Sequence, residues 1–249
     1  MIINPNNPDG RVWLIQELLE LAKIVKEHPQ ITVLSDEVYN RNIFDKTEFI
    51  PFASINGMFE RTLSLYSFGK EFCCTGWRVG GATGPENIIM PMKEYIKSST
   101  DGINLLSKLA VGHCLRLADD PYKGFGSFYE FIKFKFGSKK DRISNILKNN
   151  KKFDFEVVNP MGGYTLAVGI KRAINKVPMK YYYGNKGIPE SEKRDFIEKF
   201  EDWKTLKDPL YTCDTAMHYY LATEHKIGVV PGNAFYYNAD CENLGDLKG

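Results

Sequence analysis

The sequence predicts an α/β fold, with a mostly parallel sheet in a partial large domain over residues 1–121 and a smaller α+β portion over residues 122–249. Three observations carry this expectation. The short apolar runs Ile2-Ile3 and Ile31-Thr32-Val33-Leu34-Ser35 lack the polar alternation of a strand with one wet face, as strands buried on both faces do. Between them lies a stretch with helical period, so strand, turn, helix and strand follow one another as a βαβ unit. After residue 121 the texture changes to a basic helix-prone stretch and short strands.

Ile2-Ile3 reads as the tail of a strand running into a turn at Asn4-Pro5-Asn6-Asn7-Pro8-Asp9-Gly10, where two prolines and a glycine punctuate the chain. A helix is expected over residues 12–27, with Leu14, Leu18, Leu21, Ala22 and Val25 near the i, i+3, i+4, i+7 spacing of one buried face. The strand that follows ends at Asp36. Residues 62–66 form the next strand candidate and lead into Ser67-Phe68-Gly69-Lys70, and residues 79–83 form another. Helices are expected over 85–97 and 103–117, closed by the breaker Asp119-Asp120-Pro121. A basic helix then runs to about Asn149. Strands are expected at 155–158 and 164–168 around a turn at Met161-Gly162-Gly163. The polar stretch 171–208, rich in Lys, Glu and Gly, reads as a surface excursion. A helix over 212–225 and a strand over 227–230 complete the pattern.

Composition narrows the function classes. With 33 basic and 31 acidic residues the net charge is +2, which lacks the basic excess of a nucleic-acid binder. Lys133, Lys135, Lys139, Lys140 and Arg142 read as a solvated helix face. No apolar run is long enough to span a bilayer, and the first residues lack a signal-peptide pattern. The five cysteines, Cys73, Cys74, Cys114, Cys213 and Cys241, show neither a CxxC pair nor zinc-ligand spacing, which fits a reducing compartment. His218 and His225 can share a helix face, but without acidic or thiol neighbours they read as solvated or capping residues, and no metal site is expected.

The residues that carry chemistry stand at predicted strand ends, where open α/β sheets bind ligands. A lysine amine can form a Schiff base with an aldehyde, a carboxylate can keep a pyridine nitrogen protonated, and an arginine with a hydroxyl can grip a phosphate. Together these are the parts needed to hold pyridoxal phosphate. Asp36 ends an apolar strand, and Tyr39 lies one helical turn further on, within reach of the same pocket. Asn7, in its Pro-bracketed turn, and Tyr39 can both donate to a ring hydroxyl oxygen. Lys70 follows Gly69, which lets the backbone approach a ligand, and Phe68, Phe72 and Trp77 can desolvate its amine. Arg78, eight residues on, offers a planar fork to a phosphate, and Ser67 adds a hydroxyl. Singly, Asp36 also reads as a helix N-cap, Asn7 and Ser67 as turn residues, Tyr39 as packing, Lys70 as a surface lysine and Arg78 as an ion-pair partner. Jointly, the cofactor reading is the stronger one.

The order NPxNPxG, DEVY, SxGK and TGWRVG resembles the fold-type I pyridoxal-phosphate aminotransferases, and most of all the kynurenine aminotransferase and glutamine transaminase K group, whose members also act as cysteine-S-conjugate β-lyases. Gly57-Met58-Phe59-Glu60-Arg61-Thr62, Gly162-Gly163-Tyr164, Val229-Val230-Pro231 and Ala234-Phe235-Tyr236 extend the resemblance over nearly the whole chain outside 171–208. It implies pyridoxal 5'-phosphate as cofactor. Asp36 would then meet the ring nitrogen, Asn7 and Tyr39 the ring hydroxyl oxygen, Ser67 and Arg78 the phosphate, and Lys70 the aldehyde. It implies transamination between an amino acid, aromatic, kynurenine-like or glutamine-like, and a 2-oxo acid, in a homodimer. β-Elimination from cysteine conjugates and a non-catalytic scaffold subunit are the alternatives. Cytoplasm and mitochondrion both stay open.

The resemblance also has departures. Family members carry a long segment before the NPxNPxG turn and a carboxylate-clamping arginine beyond the AFY-like segment, and Arg172 and Arg194 do not match the latter position. Residues 98–105 lack the expected threonine-proline-glutamine pattern. The chain is therefore expected to be the middle and later part of an aminotransferase, with little turnover of its own.

Overall fold

A computed structural model describes residues 1–151, 153–170, 173, 176–184 and 211–235. The chain packs as two compact units, Met1–Arg142 with Asn159–Ala167, and Ile143–Val158 with Val168–Gly249. The expected boundary at Pro121 falls inside the first unit. Beyond it, Tyr122, Phe125, Phe128 and Phe131 meet edge to face at 5.2–5.6 Å, and Phe128 meets Phe72 at 5.8 Å, so aromatic packing carries the first unit on into the next helix.

The first unit is built on a four-stranded sheet in the order β1 (Ile2–Ile3), β2 (Val33–Asp36), β3 (Thr62–Ser67), β4 (Gly80–Thr83). The first three strands run parallel, with Ile3 opposite Asp36 and Asp36 opposite Leu65. β4 runs antiparallel to β3, with Ser67 opposite Gly80. Helix α1 (Ile15–Glu27) covers the sheet with Leu18, Ala22 and Val25, which pack with Ile2, Val33, Phe52, Ile55 and Met58. Leu14, expected on that face, is exposed just before the helix, and its amide is bonded by Glu17 Oε2 at 2.8 Å. The far end of α1 is held by Arg61, which donates to the carbonyls of Val25 (2.6 Å), His28 (2.6 Å) and Ile31 (2.7 Å). A guanidinium at the negative end of a helix satisfies carbonyls left without amide partners.

The one-turn helix α2 (Phe68–Glu71) follows β3, and α3 (Glu86–Thr100), α4 (Leu105–Leu117) and α5 (Phe128–Lys148) follow β4. Pro91 sits inside α3, so the helix continues to Thr100 despite a missing amide. Lys140 departs from the solvated face expected of α5. It is only 8% exposed, and its amine bonds Asp45 at 3.0 Å and Asp141 at 3.2 Å. Of the strand expected over 164–168 only Val168 is in a strand, and residues 164–167 are not. The amides of Met161 and Gly162 both donate to the Gly10 carbonyl at 2.9 Å, drawing this segment onto the Asn4–Gly10 turn. Gly162 permits this, since a Cβ there would lie 2.7 Å from the Asn42 carbonyl oxygen and 2.9 Å from Pro5 Cγ.

The second unit pairs β5 (Glu156–Val157) antiparallel to β6 (Val168–Gly169) and packs α6 (Lys180–Tyr183) with α7 (Cys213–His225). Within 171–208 the described residues are no surface excursion. Ala173, Val177, Met179, Tyr181, Tyr182 and Tyr183 are buried and form the core with Cys213, Ala216 and Met217. Residues 171, 172, 174, 175 and 185–208 of that expectation lie outside the described residues. Nor is 227–230 a strand. Lys226 turns left-handed at φ 58°, Ile227 donates back to the Leu221 carbonyl at 3.0 Å, and His218 Nδ1 donates to the Val229 carbonyl at 2.5 Å.

Replacing Arg61 with Ala should lower unfolding stability by about 1.5–3 kcal/mol, the range for hydrogen bonds to a charged group. Urea unfolding followed by circular dichroism measures it, and a loss below about 0.5 kcal/mol would show that the α1 cap is dispensable.

Candidate functional site

The sheet order gathers the expected site residues at one edge. Asn7 lies beyond the end of β1, Asp36 ends β2 with Tyr39 just after it, and Ser67 ends β3 with Lys70 one turn further on. Parallel strands put these three ends side by side. Because β4 runs the other way, its first residue faces Ser67, and Arg78, two residues before β4, comes to the same edge. Main-chain bonds tie the ends together. Asn4 donates to the Asp36 carbonyl at 2.9 Å, and Glu37 donates to the Leu65 carbonyl at 2.9 Å.

Asp36 is half-buried. One carboxylate oxygen takes a long 3.3 Å bond from the Val38 amide, the local turn its N-cap reading anticipates, and among the described residues the other has no hydrogen-bond partner. Tyr39 is buried, and burial together with the nearby Asp36 charge pushes its phenol above the ordinary value. The side-chain oxygen of Asn7 is buried without a partner in a turn whose backbone is otherwise bonded, Asn6 to the Arg11 carbonyl at 2.7 Å and Gly10 to that of Asn6 at 2.9 Å. A buried acceptor of this kind is open to a ligand or a water molecule.

The Lys70 amine stands 5.7 Å from the Tyr39 ring centre and 5.9 Å from that of Tyr164. These two rings, and not Phe72 or Trp77, are its aromatic neighbours. Phe72 packs on Phe128 and Tyr129, and Trp77 is 43% exposed in the loop before β4. Gly69 serves the backbone rather than a ligand, because a Cβ there would lie 3.0 Å from Thr75 Cα. That contact folds 72–77 back on the lysine turn, with Cys74 donating to the Gly69 carbonyl at 2.8 Å. Arg78 is exposed and left-handed at φ 54°, and its Nη1 bonds the Thr75 carbonyl at 3.4 Å. The structure thus brings Lys70 and Tyr39 together beside Asp36. It places Ser67 and Arg78 on the same edge.

Tyr164 is the site residue that the sequence reading passed over. Its hydroxyl donates to the Lys70 carbonyl, and its ring stacks on Phe136 at 4.5 Å and tilts against Tyr39 at 5.3 Å. Burial is the main cause that drives its phenol above the ordinary value. The signal was present in Gly162-Gly163-Tyr164, since paired glycines mark close backbone approach. Glu37 was passed over as well. It is 1% exposed on the opposite face from Asp36, its Oε1 accepts from Ser35 at 2.9 Å and Ser64 at 3.1 Å, and burial raises its carboxyl against the pull of those hydroxyls.

Comparison with known proteins gives a consistent answer. A family model described as aminotransferase class I and II matches residues 1–244. Kynurenine–oxoglutarate transaminase of Dictyostelium discoideum is 31% identical over 94% of this chain and 47% of its own length. Kynurenine–oxoglutarate transaminase 1 of Mus musculus is 26% identical over 91% of this chain and 50% of its own. The chain thus spans about half the length of these curated relatives. Among solved structures, a methionine aminotransferase of Escherichia coli superposes with a TM-score of 0.70 over 96% of this chain and 50% of its own, at 21% identity, which shows the fold. N-succinyldiaminopimelate aminotransferase of Mycobacterium tuberculosis matches 66% of this chain and 40% of its own with a TM-score of 0.59 at 29% identity.

The two raised phenols give a test of the site. Below about pH 10 Tyr39 and Tyr164 are neutral in both folded and unfolded chain, and above it the unfolded chain loses protons that the folded chain keeps. Stability should therefore fall as pH rises past about 10, by up to about 1.4 kcal/mol per unit for each phenol. Urea unfolding at pH 8, 10 and 11 should show a shallower fall in the Tyr39→Phe/Tyr164→Phe double variant, and an unchanged slope would refute the raised phenols.

Proposed function

Since the chain belongs to the class I and II aminotransferases, a family that works with pyridoxal 5'-phosphate, we propose that it holds the cofactor of a transaminase, with Lys70 as the catalytic lysine. The observation that supports this most directly is the shared sheet edge, where Asn7, Asp36, Tyr39, Ser67 and Lys70 follow three parallel strands and Arg78 precedes the antiparallel fourth. The residues fit the group. Asp36 has, among the described residues, a carboxylate oxygen without a partner, Tyr39 a buried phenol that can donate, and Lys70 an amine beside two phenol rings.

When bound, the cofactor supplies an electron-accepting ring that stabilises negative charge at a substrate α-carbon. Asp36 would pair with the ring nitrogen and keep it protonated, as a half-buried carboxylate does beside a cation. Asn7 and Tyr39 would bond the ring oxygen, and Ser67 with the Arg78 fork would hold the phosphate. Lys70 would hold the cofactor's aldehyde at rest and, once the substrate amine has displaced its own amine, would take the proton from the substrate α-carbon and return it as general base and acid. Tyr39 and Tyr164 keep water from its amine. The substrates proposed are an aromatic or kynurenine-like amino acid and a 2-oxo acid, following the kynurenine–oxoglutarate transaminases matched over most of the chain. The assembly proposed is a homodimer, consistent with the exposed Leu105, Leu106 and Leu109 of α4.

Incubation with pyridoxal phosphate, borohydride reduction and peptide mapping should place the pyridoxyl group on Lys70, and Lys70→Ala should abolish the label. A label spread over other lysines would overturn the assignment. Arg78→Ala should weaken cofactor binding by one to two orders of magnitude, as the loss of about 1.5–3 kcal/mol from a charge-assisted bond implies. Equilibrium dialysis measures this, and unchanged binding would remove Arg78 from the phosphate site.

A further inference from the structure

The lysine-bearing helix α2 is a single turn, Phe68–Glu71, and Ser67 makes no side-chain bond to cap it. One turn has the full cost of helix nucleation and almost none of the gain of propagation, so its position must be set from outside. On one side Tyr164 does this, through its bond to the Lys70 carbonyl. On the other side three groups meet at the residue after Lys70.

Glu71 is only 8% exposed. Tyr129, from α5, donates its hydroxyl to Glu71 Oε1 at 2.5 Å. Arg41, two residues beyond Tyr39, brings its Nε to 3.8 Å from the same oxygen and lays its guanidinium 4.5 Å over the Tyr129 ring. Phe72 closes the cluster, 6.3 Å from Tyr129. The Asp36–Tyr39 segment, the lysine turn and α5 are thus joined at one carboxylate oxygen. A buried carboxylate needs such partners, because an unpaired charge of this kind costs several kcal/mol. Burial and the Glu71 carboxylate hold the Tyr129 phenol in its proton-bearing, donating form far above the ordinary range, so the bond persists at working pH.

We propose that Arg41, Glu71 and Tyr129 form a brace that sets where the Lys70 amine stands, as positioning residues that touch neither cofactor nor substrate. The inference rests on the reading of Lys70 as the cofactor-bearing lysine. A misplacement of about 1 Å at a reacting group can cost about a hundredfold in rate, so a brace one residue away has a large effect without any direct contact.

The test measures the rate of reductive trapping at Lys70 in the full chain against pyridoxal phosphate concentration, with the urea midpoint of each variant alongside. Tyr129→Phe and Glu71→Ala should lower the maximal trapping rate by roughly tenfold while leaving the half-saturating concentration within about twofold, because ring and phosphate contacts are untouched. Glu71→Gln, which keeps an acceptor for Tyr129, should recover most of the rate. The Tyr129→Phe/Glu71→Ala double variant should be no slower than either single one, as for two members of one interaction. Wild-type rates in both single variants would overturn the brace. So would a fall that tracks the urea midpoint, or a Glu71→Gln rate no better than that of Glu71→Ala. Trapping of the unsubstituted chain at lysines other than Lys70 would overturn the underlying reading instead, and the brace with it.

Discussion

The parallel backbone ladder that sets Ile3 against Asp36 and Asp36 against Leu65 brings the ends of β1, β2 and β3, with Asn7, Asp36 and Ser67, to one edge of the sheet. Side chains alternate along a strand, so a shift of one residue would exchange Asp36 for Ser35 or Glu37 at the open face and send the carboxylate into the core. The register is held from beneath. Val33 packs under α1 with Leu18, Ala22 and Val25, and Ser35 and Ser64 close on Glu37, so a slip would expose apolar surface and strip a buried carboxyl of its hydrogen bonds together.

The same sheet explains why the lysine turn can be so short. β3 delivers Ser67 to the edge and β4 returns antiparallel from it, so the chain between them makes a compact loop folded on Gly69. Lys70 is fixed less by its own helix than by phenols from elsewhere in the chain, Tyr164 on its carbonyl and Tyr129 on the carboxylate beside it. Tyrosine suits the task. Its ring fills an apolar gap and its hydroxyl satisfies a buried acceptor at the far end, which no aliphatic side chain does.

The second unit shows how composition can hide a core. The stretch beginning at residue 171 is polar on average, yet Val177, Met179 and the three tyrosines Tyr181, Tyr182 and Tyr183 bury against α7. Three consecutive tyrosines lack the spacing of an amphipathic helix, and a one-turn element is too short to show a period. Nearby, Asp214 is buried and joins the start of α7 to the loop after it, accepting from Thr212 Oγ1 at 2.5 Å and from the Asn233 amide at 2.7 Å. This polar tie holds 227–230 as a loop beside α7, where apolar composition alone suggested a strand.

The elements of the first unit and the chemical groups of the candidate site were legible in the sequence because both are local properties. Helical period marks α1, unalternated apolar runs mark β1 and β2, and Asn7, Asp36, Tyr39, Ser67, Lys70 and Arg78 stand in short motifs whose residue types suit one chemistry. What the tertiary structure alone decided depends on segments far apart in the chain. The antiparallel return of β4 brings Arg78 to the edge, Tyr164 arrives 94 residues after Lys70, and Tyr129 reaches Glu71 across 58. Trp77, adjacent in sequence, stays outside. Sequence spacing carries information about neighbours along a strand or a helical turn, whereas contact across the sheet edge is set by packing, where aromatic area, buried acceptors and glycine clearance choose the partners.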